Sequence, residues 1–314
     1  MNENADTNSG SLISDVAGLG KIATQIVEAF TRATGALYRP RAIRSEAEAK
    51  AHEIIVLADA QSKANAITRL GADEIEFQIQ KRAAHRVVAT AVQEQMNLEN
   101  IIEASLALTS PSLDEATKPF DNGWFARFMD GARSVSHSEL QQVWSAILTR
   151  QARDGQFSLR LLDCVKNLES EDVRAFEKFV WIKRAWSTIL TWPDFLGVSR
   201  YHDCRLLSSE EADRLIDAGL IEHGIYIAAK SVVPPVSVRI KLMGRLYDVT
   251  AQGDTIGLHN LSYTRVGKEL ETVVAIAPAT MIAELSEKSE EFLKGVASSV
   301  KRDKLTFKLV DNQN

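Results

Sequence analysis

Between Ser45 and Ala107 the chain contains no proline and a single glycine, Gly71. Proline breaks helices and glycine weakens them, so a stretch this long with neither, rich in Ala, Glu, Gln, Ile and Arg, can hardly be anything but helix. Ser45 with Glu48 matches a capping box at its start. The apolar spacing does not hold a strict heptad, so the segment reads as an antiparallel helical hairpin rather than a dimeric coiled coil. Gly71-Ala-Asp-Glu is its natural break, with Asp73 opening the second arm.

Upstream, residues 1–10 are polar and read as a disordered leader without the apolar core of a secretory signal. From Ser11 to Tyr38, Leu12, Val16, Leu19, Ala23, Ile26, Val27 and Phe30 recur at helical spacing. The plain reading is an amphipathic helix docked on the body of the protein. The sharper one is a membrane or partner helix presenting Leu12, Val16, Leu19, Ile26 and Phe30. Asp15, Lys21, Glu28 and Arg32 interrupt it, so it is not a membrane span. The expected location is cytoplasmic, with peripheral contact at the inner membrane as the variant.

After the hairpin, Thr109-Ser-Pro-Ser and Lys118-Pro-Phe-Asp-Asn-Gly read as loops. Helices then follow around Trp124–Met129, Leu140–Leu148, Leu161–Leu168 and Val173–Ile182, with Ser136, Ser158 and Ser170 as expected caps. Four of the five tryptophans lie between 144 and 192, which marks a dense core. Past Pro193 the character changes. Ser208 and Glu211 form a second capping box, and that helix stops at Gly219. Stretches of β type follow at 221–228, 232–242, 246–250 and 255–258, and Thr264 caps one more helix. The expected fold is therefore mainly α. It comprises a leader (1–10), an N-terminal amphipathic helix and hairpin (11–110), a tryptophan-rich helical core (111–195), a small α+β winged-helix-like module (196–278), and a C-terminal helix and loose tail (279–314).

Motifs that would carry chemistry are incomplete. Ala17-Gly-Leu-Gly-Lys21 lacks both the first glycine and the following hydroxyl residue of a phosphate loop. The six histidines show no i, i+4 pair, and His202-Asp-Cys204 alone is a weak ligand pattern. Cys164 lies on an apolar helix face and reads as a small buried hydrophobe. Ser136-His137-Ser138 lacks a nucleophile elbow, and Glu169-Ser-Glu-Asp172 suits the positive end of a helix dipole. No catalytic residue, cofactor or metal site is expected.

The ending Asp217-Ala-Gly-Leu-Ile221, a β interval, then Leu261-Ser-Tyr-Thr-Arg-Val-Gly-Lys-Glu-Leu270 resembles the tail of winged-helix modules. Such modules bind DNA, and Arg239, Lys241, Arg245, Arg265 and Lys268 are the cations available for phosphate. The preceding helix, Glu210-Glu-Ala-Asp-Arg-Leu-Ile-Asp, is acidic and would repel it. The chain's net charge of −5 likewise argues against a surface built throughout for nucleic acid.

Ser138-Glu-Leu-Gln-Gln-Val-Trp-Ser-Ala-Ile-Leu148 and Gly155-Gln-Phe-Ser-Leu-Arg-Leu-Leu162 resemble a bacterial family known only as a domain of unknown function. Tyr38-Arg-Pro-Arg-Ala-Ile-Arg44 and Gln95-Met-Asn-Leu-Glu-Asn-Ile-Ile102 are similar to alpha-type abortive-infection proteins, which are associated with phage resistance. The resemblance implies a non-enzymatic component of bacterial phage defence. It would act through protein or membrane-surface contact, by self-association through the long helices, or by release of the N-terminal helix. A DNA-binding regulator is the second reading, and an enzyme with scattered catalytic residues the third.

Overall fold

The computed structural model describes residues 20–35, 74–109, 117–186, 189–191, 207–230, 235–242, 245–252, 255–283 and 305–310. The leader, Leu12, Val16, Leu19, the first hairpin arm and His202-Asp-Cys204 lie outside them. The chain divides into two compact units, Met1–Lys166 and Asn167–Asn314. The described structure is mainly helical, with strands confined to the second unit.

The first unit holds α1 (Lys21–Thr34), α2 (Glu74–Ala107), α3 (Asn122–Ala132), α4 (Ser138–Asp154) and α5 (Leu159–Val165). Glycines bound helix α1 at both ends. Gly20 is the N-cap, and Gly35, at φ +69°, turns the chain out of the helix. Ile22, Ile26, Val27 and Phe30 face inward, with Ile26 fully buried and Phe30 2% exposed.

Helix α2, expected as the second arm of the hairpin, runs unbroken for 34 residues. Its buried residues begin at Asn97 and include Leu98, Ile101, Ile102 and Ser105. Across that stretch it meets α4 through small hydroxyl residues. Ser145 Oγ donates to the Ile101 carbonyl (3.0 Å), and Thr149 Oγ1 donates to that of Ser105 (3.1 Å). Short side chains let the two backbones approach, and each hydroxyl finds a carbonyl, so the seam buries polar groups without leaving them unpaired.

Helix α3 starts at Asp121, whose carboxylate accepts the Trp124 amide at 2.9 Å. It carries a run of rings: Phe120 stacks on Trp124, Trp124 on Phe128, and Phe128 meets Trp144 of α4 edge-on at 5.2 Å. Gly131 lies so close to Trp144 that a Cβ there would stand 2.4 Å from the indole. Helix α4 is capped at His137 with no side-chain bond, not by Ser136. It ends at Gly155 (φ +62°), and Ser158 caps α5 as expected.

The second unit begins with α6 (Ser170–Trp186), followed by β1 (Ile189–Thr191), α7 (Ser209–Asp217) and β2 (Ile221–Lys230). Then come β3 (Val236–Leu242), β4 (Arg245–Ala251), β5 (Thr255–Tyr263), α8 (Arg265–Glu271) and β6 (Leu305–Leu309). The strands form two antiparallel sheets, β1-β5-β2 and β3-β4-β6. Strands β1 and β6 were not foreseen; the tail expected to be loose supplies β6. Helix α6, placed in the helical core by the sequence, belongs with the first sheet, because Phe176 and Phe179 pack edge-on against Tyr263 of β5. Ser170 is its first helical residue rather than its cap. There Asp172 reaches back to accept the Glu169 amide (2.7 Å).

Candidate functional site

In the first unit a cleft of about 550 Å³ opens between α1 and the start of α3. One wall is a face of α1 with Lys21, Gln25, Glu28, Ala29 and Arg32; the other is Thr117, Pro119, Phe120, Asn122, Phe125 and Ala126. The walls are held by backbone. The Gln25 side-chain amide donates to the Lys118 carbonyl, and the Lys118 amide donates to that of Ala152 (2.9 Å). Aromatic and alanine side chains line the floor, and charges of both signs stand on the rim. This is a lining of the kind that seats a partner side chain or a small amphipathic ligand. The sequence marked Lys118–Gly123 only as a loop, since nothing local shows that it faces a helix far upstream.

The face of α1 assigned to a membrane or partner is turned inward at the two residues that are described, Ile26 and Phe30. Exposing Ile22, Ile26, Val27 and Phe30 together would cost on the order of 10 kcal/mol, about the whole stability of a typical domain. Release of this helix is therefore opposed by the packing. Among the described residues no helix is long and apolar enough to cross a membrane, and no group of three His, Cys, Asp or Glu could hold a metal.

In the second unit the five cations proposed for nucleic acid fall into two sets. Arg239, Lys241 and Arg245 lie on the β3–β4 hairpin, Arg265 and Lys268 on α8. Arg239 is committed to Asp248 by two hydrogen bonds (Nε to Oδ1, 2.8 Å; Nη2 to Oδ2, 3.1 Å). That pairing holds the Asp248 carboxyl below its ordinary range. Arg265 stands 3.8 Å from Glu269 one turn on, and Lys268 is exposed. Lys241 and Arg245 are in register with Leu246 and Leu242.

Helix α7 is fastened to α6 by charge. Arg214 meets Glu169 (3.2 Å), Asp172 (3.3 Å) and Glu171 (3.9 Å), and Lys178 meets Glu211 (2.8 Å). Burial pushes the Glu211 carboxyl up, but Lys178 and the Ser208 amide outweigh it and hold the group below the usual carboxylate range. Lys183 donates to the Leu261 carbonyl (2.9 Å), and burial pushes its amine down from 10.5. Burial raises the Tyr263 phenol. The Lys178, Glu211 and Lys183 side chains are spent on joining α6 to its neighbours.

The Gly-Leu-Ile and Thr-Arg-Val-Gly segments meet in space. Thr264 Oγ1 donates to the Gly219 carbonyl (2.6 Å) and, as N-cap of α8, accepts the Gly267 amide (3.0 Å). A Cβ on Gly267 would sit 1.9 Å from the Leu220 carbonyl oxygen. The two motifs are halves of one contact.

Residues 81–188 match a family described as a protein of unknown function (DUF2806). The matched stretch runs from α2 through α6, so it takes in the aromatic core. It leaves out the α1 wall of the cleft and the β2–β6 strands. No curated protein and no solved structure matches the chain.

Proposed function

We propose that this protein works by contact, as a non-enzymatic component of bacterial phage defence that seats a segment of a partner protein in the cleft between α1 and α3. The cleft carries the reading. It joins an aromatic floor, Phe120 and Phe125, to a rim of Lys21, Glu28 and Arg32 on a helix whose other side is anchored in the core. Rigid aromatic pockets with a charged rim are where protein interfaces concentrate their affinity. The defence setting rests on the resemblance of the N-terminal half alone. A winged-helix-like second unit is supported by the order β1-β5-β2, with α7 leading into β2 and α8 following β5.

Ala33 and Ala126 line the cleft and are exposed, so Ala33→Trp and Ala126→Trp fill it without entering the core. Phage plating on cells carrying the wild-type chain or either variant tests the proposal. Protection by the wild type and its loss in both variants, at unchanged melting temperature, is the expected result. Equal protection in all three, or none from the wild type, would sink it.

A further inference from the structure

The α1 wall of the cleft carries a single polar stripe. Lys21, Gln25, Glu28 and Arg32 all line the cleft and follow one another at i, i+4, i+7 and i+11. At that spacing they stack along one edge of the helix over about 16 Å. Gln25 is already used, since its amide is bonded across to the Lys118 carbonyl. The other three are exposed, and among the described residues none of them forms an ion pair. The opposite wall supplies Thr117, Pro119, Phe120, Asn122, Phe125 and Ala126, none of them charged. A bound segment therefore meets the charges plus, minus, plus, and all of them come from α1. Beside the stripe the lining is apolar, with Ala29 and Phe125 buried.

We infer that the cleft takes an amphipathic helix of a partner protein whose charges run acid, base, acid, at i, i+4 and i+11. This rests on the reading of the cleft as a protein-binding site and names what that site selects. The spacing fits a helix. Steps of four, three and four residues are those that a second helix laid alongside meets turn by turn. An extended strand advances about 3.3 Å per residue, so it would pass from Arg32 to Glu28 in about two residues and on to Lys21 in about three. Its third charge would then point away from α1, because neighbouring side chains on a strand alternate in direction. An antiparallel helix sets acids against Arg32 and Lys21 and a base against Glu28, and it opposes the two helix dipoles. A small residue at i+7 passes the engaged Gln25. The charges stand on the hydrated rim, so they select the partner and its direction while the aromatic floor supplies affinity.

Anisotropy of labelled synthetic peptides titrated with the full chain tests this. The matched peptide is about 18 residues long, enough to hold a helix. It carries Glu, Lys, Ala and Glu at i, i+4, i+7 and i+11, leucines on both sides of that stripe, and glutamine on the far side. A second peptide carries Lys, Glu, Ala and Lys at the same places. Exposed ion pairs are weak singly, so the wild type should bind the matched peptide about tenfold tighter, and the preference should vanish near about 1 M salt. The triple variant Lys21→Glu, Glu28→Lys, Arg32→Glu should reverse the preference, and Ala33→Trp should bind neither peptide. Circular dichroism checks that both variants are folded. Equal binding of the two peptides, lost in Ala33→Trp, would overturn the inference and leave the cleft standing as a protein site. Binding of neither peptide, or matched binding that Ala33→Trp leaves untouched, would also overturn it. So would a dimer of the full chain that Ala33→Trp dissociates, since a second copy would then fill the cleft.

Discussion

Single atoms decide several positions in this protein. Gly131 is the clearest, because the indole of the fully buried Trp144 occupies the space a methyl group would need. Alanine is the better helix former by about 1 kcal/mol, but forcing an atom into a filled core costs about 1–3 kcal/mol. The second effect wins, since Trp144 is held edge-on by Phe128 and has nowhere to move. Gly131→Ala should therefore lower the urea unfolding midpoint; a raised midpoint would show that propensity governs and that the contact is looser than described. The sequence pointed to Trp144 as core but was silent on Gly131, because a glycine needed for close approach looks like any other until its neighbour is known.

At the scale of elements, side-chain caps separate the boundaries that were legible from those that were not. Ser158, Ser208 and Thr264 cap as read, because a cap depends only on residues within one turn. Ser136 was misassigned by one residue, since α4 starts at His137 with no side-chain cap and so leaves no mark of where it begins, and Ser170 is the first residue of α6 rather than its cap. Thr264 does more than cap: its hydroxyl also ties α8 to the Gly219 carbonyl. Thr264→Ala should cost about 1 kcal/mol for the cap alone and more with the second bond, and Thr264→Ser should recover most of it. Equal loss in both variants, measured by chemical unfolding, would mean that the methyl group rather than the hydroxyl matters. Strand β6 escaped the sequence reading because five residues in a charged tail carry little periodic signal. Its partner, β4, lies far back in the chain.

For the molecule as a whole, acid should be destabilising. The folded state holds the Glu211, Asp248 and Asp130 carboxyls below their ordinary values. Glu211 does so through Lys178 and Ser208, Asp248 through Arg239, and Asp130 through Lys166 and Arg133. A carboxyl depressed by folding contributes stability that is present above its unfolded value and lost as pH falls through the folded one. The melting temperature should thus fall as pH drops below about 4.5. Glu211→Gln, which removes one such group, should show a shallower fall. A variant with the same slope as wild type would mean that the α6–α7 clasp contributes nothing to folding.

What the amino-acid sequence determined by itself was the class of structure: long helices where proline is absent, an aromatic middle, capped ends, and a switch to strands after Pro193. Each of these follows from interactions between residues a turn or two apart. The tertiary structure alone decided that α1 buries its apolar face, that a loop and a distant helix enclose a cleft, and that Gly267 must clear Leu220. It also decided that the tail joins the β3–β4 hairpin as a third strand. Those outcomes depend on which distant segments meet, and that is set by the burial of whole faces rather than by any local pattern.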